Sequence, residues 1–183
     1  MTDATGPRDD ADAKAQLGRD LLDVALLRGD FVLSSGARSD FYLDKYRFET
    51  RPDVLRRIAR GLAGLVPDGV DRIAGTELGA VALATALALE CDLPFVIVRK
   101  AAKPYSTERM IEGELEAGER VVLVEDVVTS GAQAIKAAVH LVEAGAVVDR
   151  IVAVVDREQG GRAAMADAGF ELSALFTRTE LGI

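Results

Sequence analysis

Apolar residues along this chain follow two alternating periodicities. Short runs rich in β-branched and aliphatic residues, Arg72–Ala74, Phe95–Val98, Val121–Val124 and Ile151–Val155, have the length and continuity of strands buried on both faces. Between them apolar residues recur at helical spacing, in a helix that follows Gly79, a second over Ala132–Ala144 and a third over Gly161–Ala168. Leu172–Phe176 offers a last strand to close the sheet. Upstream, Lys14–Arg28 sets Leu17, Leu21, Val24 and Leu27 on one helical face and is closed by Gly29. Phe31–Leu33 and Phe41–Leu43 read as two short strands flanking the polar Ser34–Ser39 segment, and Pro52–Leu65 as a helix with proline in its first turn. Residues 1–13, rich in Asp and Ala around Gly6-Pro7, read as a mobile tail. The alternation predicts an α/β fold: a mostly parallel, doubly wound sheet flanked by helices, with sites at the carboxyl ends of its strands.

Length and composition narrow the function classes. At 183 residues, 49% hydrophobic and 5% aromatic, the chain suits one α/β domain over residues 14–183, with helices packed on a parallel sheet. Lys and Arg number 22 against 30 Asp and Glu, and the net charge of −8 gives no footprint for nucleic acid or an anionic membrane. A local basic cluster is therefore informative. Cys91 and His140 are the only cysteine and histidine, which excludes a disulfide framework, a Cys/His metal site and Ser-His or Cys-His catalysis. Cys91 ends an apolar helix and His140 lies within one, so both read as structural. No apolar run approaches a membrane span and no signal peptide is visible, which predicts a cytoplasmic protein.

The densest chemistry lies in Val121–Gly131. A buried strand stops at two adjacent acids, Glu125 and Asp126, and a short turn, Thr129-Ser130-Gly131, opens the helix from Ala132. Backbone N–H groups at such a turn and helix start cradle a phosphate. Carboxylates just before it accept hydrogen bonds from vicinal sugar hydroxyls or help to hold a divalent cation. A ligand with a phosphate at one end and a diol beside it is a ribose 5-phosphate. The segment is not a Walker loop, for no Lys follows the glycine, and it lacks the dinucleotide pattern of three glycines. The plainer alternative is solvated acids followed by a Thr-Ser helix cap.

Three other loops fall at carboxyl ends of strands. Gly75-Thr76-Glu77-Leu78-Gly79 suits a second anion or simply a tight turn. Arg99–Arg109 carries four cations in eleven residues and is too polar to pack, so it is either an anion-binding loop or a solvated one. Asp156-Arg157-Glu158 places an Arg just past a buried strand, where a salt bridge is the default reading. Together the loops fit phosphoribosyl pyrophosphate (PRPP). Its pyrophosphate calls for cations and Mg²⁺, its diol for acids, its 5-phosphate for backbone N–H groups. Transfer at its anomeric carbon needs positioning and charge stabilisation but no covalent nucleophile.

The order apolar run, acid, acid, two apolar residues, Thr-x-Gly resembles the PRPP motif of type I phosphoribosyltransferases. From Phe31 onward the chain resembles the orotate phosphoribosyltransferase family. Phe31–Asp44 is similar to that family's hood segment. Arg99-Lys100-x-x-Lys103-x-Tyr105-x-Thr107, followed by Ile111-Glu112-Gly113, matches its catalytic loop, and Val155-Asp156-Arg157-Glu158 its orotate-binding strand end. The resemblance implies the type I phosphoribosyltransferase fold with a small hood, from about residue 14 to 50 plus the C-terminal strand. It implies Mg²⁺-dependent transfer of ribose 5-phosphate from PRPP to orotate in pyrimidine biosynthesis.

By the same resemblance Glu125, Asp126, Val127, Val128, Thr129, Ser130, Gly131, Ala132 and Gln133 bind the ribose 5-phosphate part of PRPP, and Thr76, Glu77 and Leu78 its pyrophosphate side. Arg99, Lys100, Lys103 and Tyr105 serve the pyrophosphate, with Lys103, Asp126 and Lys100 catalytic. Thr129, Arg157, Tyr42 and Leu43 face orotate. Mg²⁺ is held mainly by PRPP, with Asp126 reaching it through water and no direct protein ligand. The family is a homodimer in which Lys100 acts in trans. The chain departs from the family pattern with Ser34 in place of Lys, no Lys in Thr76–Gly79, Tyr105 in place of His and Ser106 in place of Gly. A transferase for another base shares the acid-pair motif but leaves Arg99–Thr107 and Arg157 unexplained. A PRPP-sensing regulator would keep the phosphate cradle and lose the loop cations.

Overall fold

Leu17, Leu21 and Ala25, four residues apart, are buried along one face of α1 (Pro7–Ala25). This helix belongs to the first of two units, Met1–Arg57 and Ile58–Ile183. The computed structural model describes residues 7–32, 38–101 and 110–183, excluding the side chains of 7–10. α1 starts at Pro7, so residues 7–13 are helix rather than tail; residues 1–6 lie outside the described residues. It also stops short of Arg28. Leu26 and Leu27 instead enter β1 (Leu26–Val32), antiparallel to β2 (Arg38–Leu43), with Leu26 opposite Leu43 and Leu27 opposite Tyr42. Hairpin pairing outweighs the helical spacing of Leu27, and a bulge between Arg28 and Phe31 shifts the register. Beyond β2, the short α2 (Lys45–Glu49) carries the fully buried Phe48, and α3 (Pro52–Ala63) leads into the second unit.

The apolar runs of the second unit assemble as predicted. β3 (Arg72–Thr76), α4 (Val81–Cys91), β4 (Phe95–Val98), β5 (Ile111–Glu112), β6 (Arg120–Val128), α5 (Ala132–Glu143), β7 (Val147–Asp156), α6 (Gly161–Asp167), β8 (Leu172–Thr177) and α7 (Arg178–Leu181) follow in order. The six strands lie in the order β5-β4-β3-β6-β7-β8, all parallel except the two-residue β5, which runs antiparallel to β4. The C-terminal strand, expected as part of the hood, is β8 of this sheet, with Ile151 paired to Leu172 and Asp156 to Thr177.

Val121–Val124 and Ile151–Val155 are buried on both faces, as continuous apolar runs require. On one side Ala134, Ala137, Ala138 and Leu141 of α5 and Met165 of α6 pack with Leu123, Ile151 and Ala153. α4 crosses β3 so closely that a Cβ on Gly75 would stand 2.6 Å from the Ala84 Cβ and 2.7 Å from the Ala80 carbonyl oxygen. The chain leaves β3 toward β4 on one side and returns to β6 on the other. That reversal puts the topological switch point at the carboxyl ends of β3 and β6, the crevice where open α/β sheets bind ligands.

At the opposite end of the sheet Arg72 donates Nε and Nη2 to the Glu119 carboxylate at 2.7 and 2.6 Å, both side chains being largely buried. Those bonds hold the Glu119 carboxyl below its ordinary range and raise the Arg72 guanidinium above its own.

Candidate active site

β6 runs past the acids to Val128, because Val127 and Val128 continue to pair with Val155 and Asp156. Glu125 and Asp126 are therefore buried within the strand, 7% and 5% exposed, rather than at its end. Asp126 Oδ1 accepts the Val127 N–H at 2.5 Å. The turn that follows exposes Thr129 and Ser130 and ends at Gly131, which caps α5 in the left-handed region at φ +77°. No side chain caps this helix, so the Thr-Ser capping alternative does not hold. Ala132 and Gln133, both exposed, form the first turn, whose N–H groups have no intrahelical partner. A solvent-facing helix start with no side-chain cap thus follows two buried acids.

The β7 loop closes on this turn. Arg157, 6% exposed, donates its backbone N–H to the Val128 carbonyl at 2.9 Å. A Cβ on Gly131 would meet the Gly161 carbonyl oxygen at 3.1 Å and Met165 Cε at 3.2 Å. Burial lowers the proton affinity of the Arg157 guanidinium, and the like charge of Arg178 adds to this. Arg157, Thr129 and the start of α5 thus form one connected structure.

Across the crevice Thr76–Leu78 follows β3. The Glu77–Leu78 peptide bond is cis, Leu78 is exposed, and the Glu77 N–H donates to the Val98 carbonyl at 2.8 Å. Arg99 stands at the start of the basic segment, just past β4. Its guanidinium lies 3.6 Å from Glu77 Oε2 and 3.2 Å from Glu112 Oε1, and its backbone N–H donates to the Met110 carbonyl. The Lys100 N–H donates to the same Glu77 carboxylate at 3.3 Å. Glu77 thus reaches the root of the basic loop. Lys103 and Tyr105 lie outside the described residues, as does Ser34. Tyr42, half-exposed, and Leu43, buried, lie on β2 of the N-terminal unit. Among the described residues no group of three or more His, Cys, Asp or Glu gathers into a metal cage, and no helix is long and apolar enough to cross a membrane.

Six positions here were not singled out individually from sequence. Glu112 was seen only as part of a motif, and its role emerges from the antiparallel pairing of β5 with β4, which brings it to Arg99. Glu158 and Thr179 hydrogen bond to each other over a long sequence separation. Thr177-x-x-Glu180 is a capping-box pattern that would have announced α7. Gly161 is needed for space, which no local pattern reveals.

Residues 47–172 match the phosphoribosyl transferase domain family, and the α/β fold described above is the fold of its orotate phosphoribosyltransferase structures. The chain is 50% identical to the orotate phosphoribosyltransferase of Natronomonas pharaonis over 84% of its own length and 87% of that protein. It is 46% identical to that of Pyrococcus furiosus over 92% and 94% of the two chains. Among solved structures, the Mycobacterium tuberculosis orotate phosphoribosyltransferase in complex with PRPP superposes with a TM-score of 0.78 at 28% identity, covering 93% of this chain and 99% of that one. The chain belongs to the phosphoribosyltransferases and, within them, to the orotate phosphoribosyltransferase family.

Proposed function

We propose that this enzyme transfers ribose 5-phosphate from PRPP to N1 of orotate, releasing pyrophosphate and forming orotidine 5′-monophosphate for pyrimidine biosynthesis. The observation that carries this reading is the joined constellation of buried Glu125 and Asp126, the uncapped start of α5 and buried Arg157, tied together through Val128. N–H groups from Thr129 to Gln133 would hold the 5-phosphate, and the two acids the ribose hydroxyls. Arg157 would hold orotate, whose carboxylate and ring carbonyls accept from a guanidinium fork. The bond from the anomeric carbon to pyrophosphate breaks with its electron pair leaving on the pyrophosphate. Lys103, with Lys100 and Arg99, would stabilise that charge.

The donor chemistry fits Mg²⁺: hard carboxylate oxygens at the ribose end, with no all-protein cage among the described residues, suit an ion held mostly by substrate phosphates and reached by Asp126 through water. When bound, Mg²⁺ offsets charge on the pyrophosphate. The working form in this reading is a cytoplasmic homodimer whose Lys100 serves the neighbouring subunit's site. Following orotate absorbance after mixing enzyme, PRPP and Mg²⁺ tests the reaction. Orotate should be consumed, and exhaustive chelation of divalent metal should stop its consumption; undiminished turnover after chelation would refute the metal requirement.

A further inference from the structure

We propose that Glu158 and Thr179 are positioning residues, a strap from the C-terminal helical turn that holds Arg157 in the orientation needed for orotate. The inference rests on the orotate-binding reading of Arg157 given above.

The residues on either side of Arg157 are fixed independently of its side chain. Asp156, 2% exposed, accepts the Glu158 N–H on Oδ1 at 2.9 Å, and its Oδ2 lies 3.3 Å from Arg162. This local bond folds the backbone over Arg157. Glu158 then sits in the left-handed region at φ +54°, which residues other than Gly, Asn and Asp seldom occupy. Its side chain accounts for that choice. Glu158 Oε2 accepts both the Thr179 backbone N–H at 2.8 Å and the Thr179 hydroxyl at 2.6 Å.

Thr179 offers a firm anchor. α7 is closed by a capping box in which Thr177 Oγ1 accepts the Glu180 N–H at 3.1 Å and the Glu180 carboxylate accepts the Thr177 N–H at 2.8 Å. Thr177 is in turn the sheet partner of Asp156. The path from Asp156 to Glu158 and on to Thr179 runs through hydrogen bonds, returns along the chain from Thr179 to Thr177, and closes by sheet pairing of Thr177 with Asp156, with Arg157 inside its span. The Arg157 N–H is pinned from the other side by the Val128 carbonyl. A bidentate guanidinium contact depends on direction as well as distance, so releasing the strap should loosen orotate before PRPP.

Steady-state kinetics of four single variants and one double variant test this in the intact enzyme. Glu158→Gly keeps the left-handed backbone accessible and removes the carboxylate. Thr179→Val removes the hydroxyl donor and leaves the backbone N–H in place. Thr179→Ser keeps both donors, and Arg157→Lys removes the fork. Glu158→Gly should raise the KM for orotate by about tenfold and that for PRPP by less than about twofold, with Thr179→Val in the same direction and Thr179→Ser close to wild type. In the Arg157→Lys background Glu158→Gly should add nothing further. If Glu158→Gly fails to fold, Thr179→Val and its Ser rescue decide the matter. Equal rises in both Michaelis constants, or a full additional effect on top of Arg157→Lys, would make the strap merely structural and overturn the proposal. If Arg157→Lys itself left the orotate KM unchanged, the reading of Arg157 would fail, and the strap's role with it. An intact Arg157 effect with silent strap variants would overturn the strap alone.

Discussion

Gly161 lies hard against Thr129: a methyl group on its Cα would stand 2.5 Å from the Thr129 carbonyl oxygen and 2.5 Å from Val128 Cγ1. No real Cβ makes such contacts, so the turn ahead of α5 keeps its course only while residue 161 lacks a side chain. Gly161→Ala should displace Thr129 and Ser130 and lower kcat/KM for PRPP about a hundredfold, with a smaller loss of stability. Kinetics and a thermal melt on the same preparation check this. Unchanged PRPP kinetics would mean that the turn does not hold the phosphate.

Asp126→Asn tests the diol assignment. Asp126 is buried in β6, and Asn preserves its shape while removing the charge. Loss of one charge-assisted hydrogen bond corresponds to roughly 1.5–3 kcal/mol, or a ten- to hundredfold fall in rate or PRPP affinity. Circular dichroism should show the fold unaltered.

The Arg72–Glu119 pair predicts a pH-dependent stability difference. Hydrogen bonds from Arg72 depress the folded-state Glu119 carboxyl, so its stabilisation is complete above the unfolded value near ~4.3 and is lost as pH falls through the lower folded value. Glu119→Gln should destabilise the protein by about 3 kcal/mol at pH 7 in urea unfolding. The gap from wild type should narrow once the pH drops below roughly 4.3. A gap that widened on acidification would contradict the assigned direction.

Lys103→Ala should reduce turnover far more than PRPP binding, because the charge it meets develops only as pyrophosphate leaves. For a loop acting across a dimer, a Lys100/Lys103 double variant mixed with the weakened Asp126→Asn should, after subunit exchange, exceed the activity of either variant alone. Heterodimers without that gain would place the loop over its own subunit.

The central sheet was legible because runs such as Val121–Val124 can be little else than buried parallel strands, and alternation with helices then sets their direction. The same logic placed Thr129–Gln133 and Arg157 just past the carboxyl ends of strands, since those ends follow from the alternation. Elements whose identity depends on distant partners were not legible. Leu27 has helical spacing but pairs with Tyr42, β5 exists only as a partner of β4, and β8 pairs with β7. Val127 and Val128 extend β6 past the acids because β7 continues beside them. Glu112 beside Arg99, Gly161 against Thr129 and Glu158 on Thr179 are likewise contacts of the folded chain, with no periodicity to announce them.

The most direct test of the account supplies the enzyme with PRPP and Mg²⁺, offers orotate, uracil, adenine, guanine or xanthine separately, and measures pyrophosphate released. Orotate alone should release pyrophosphate, in equal amount to the orotate consumed. Release with a purine or with uracil but not with orotate, or no release with any base, would contradict it.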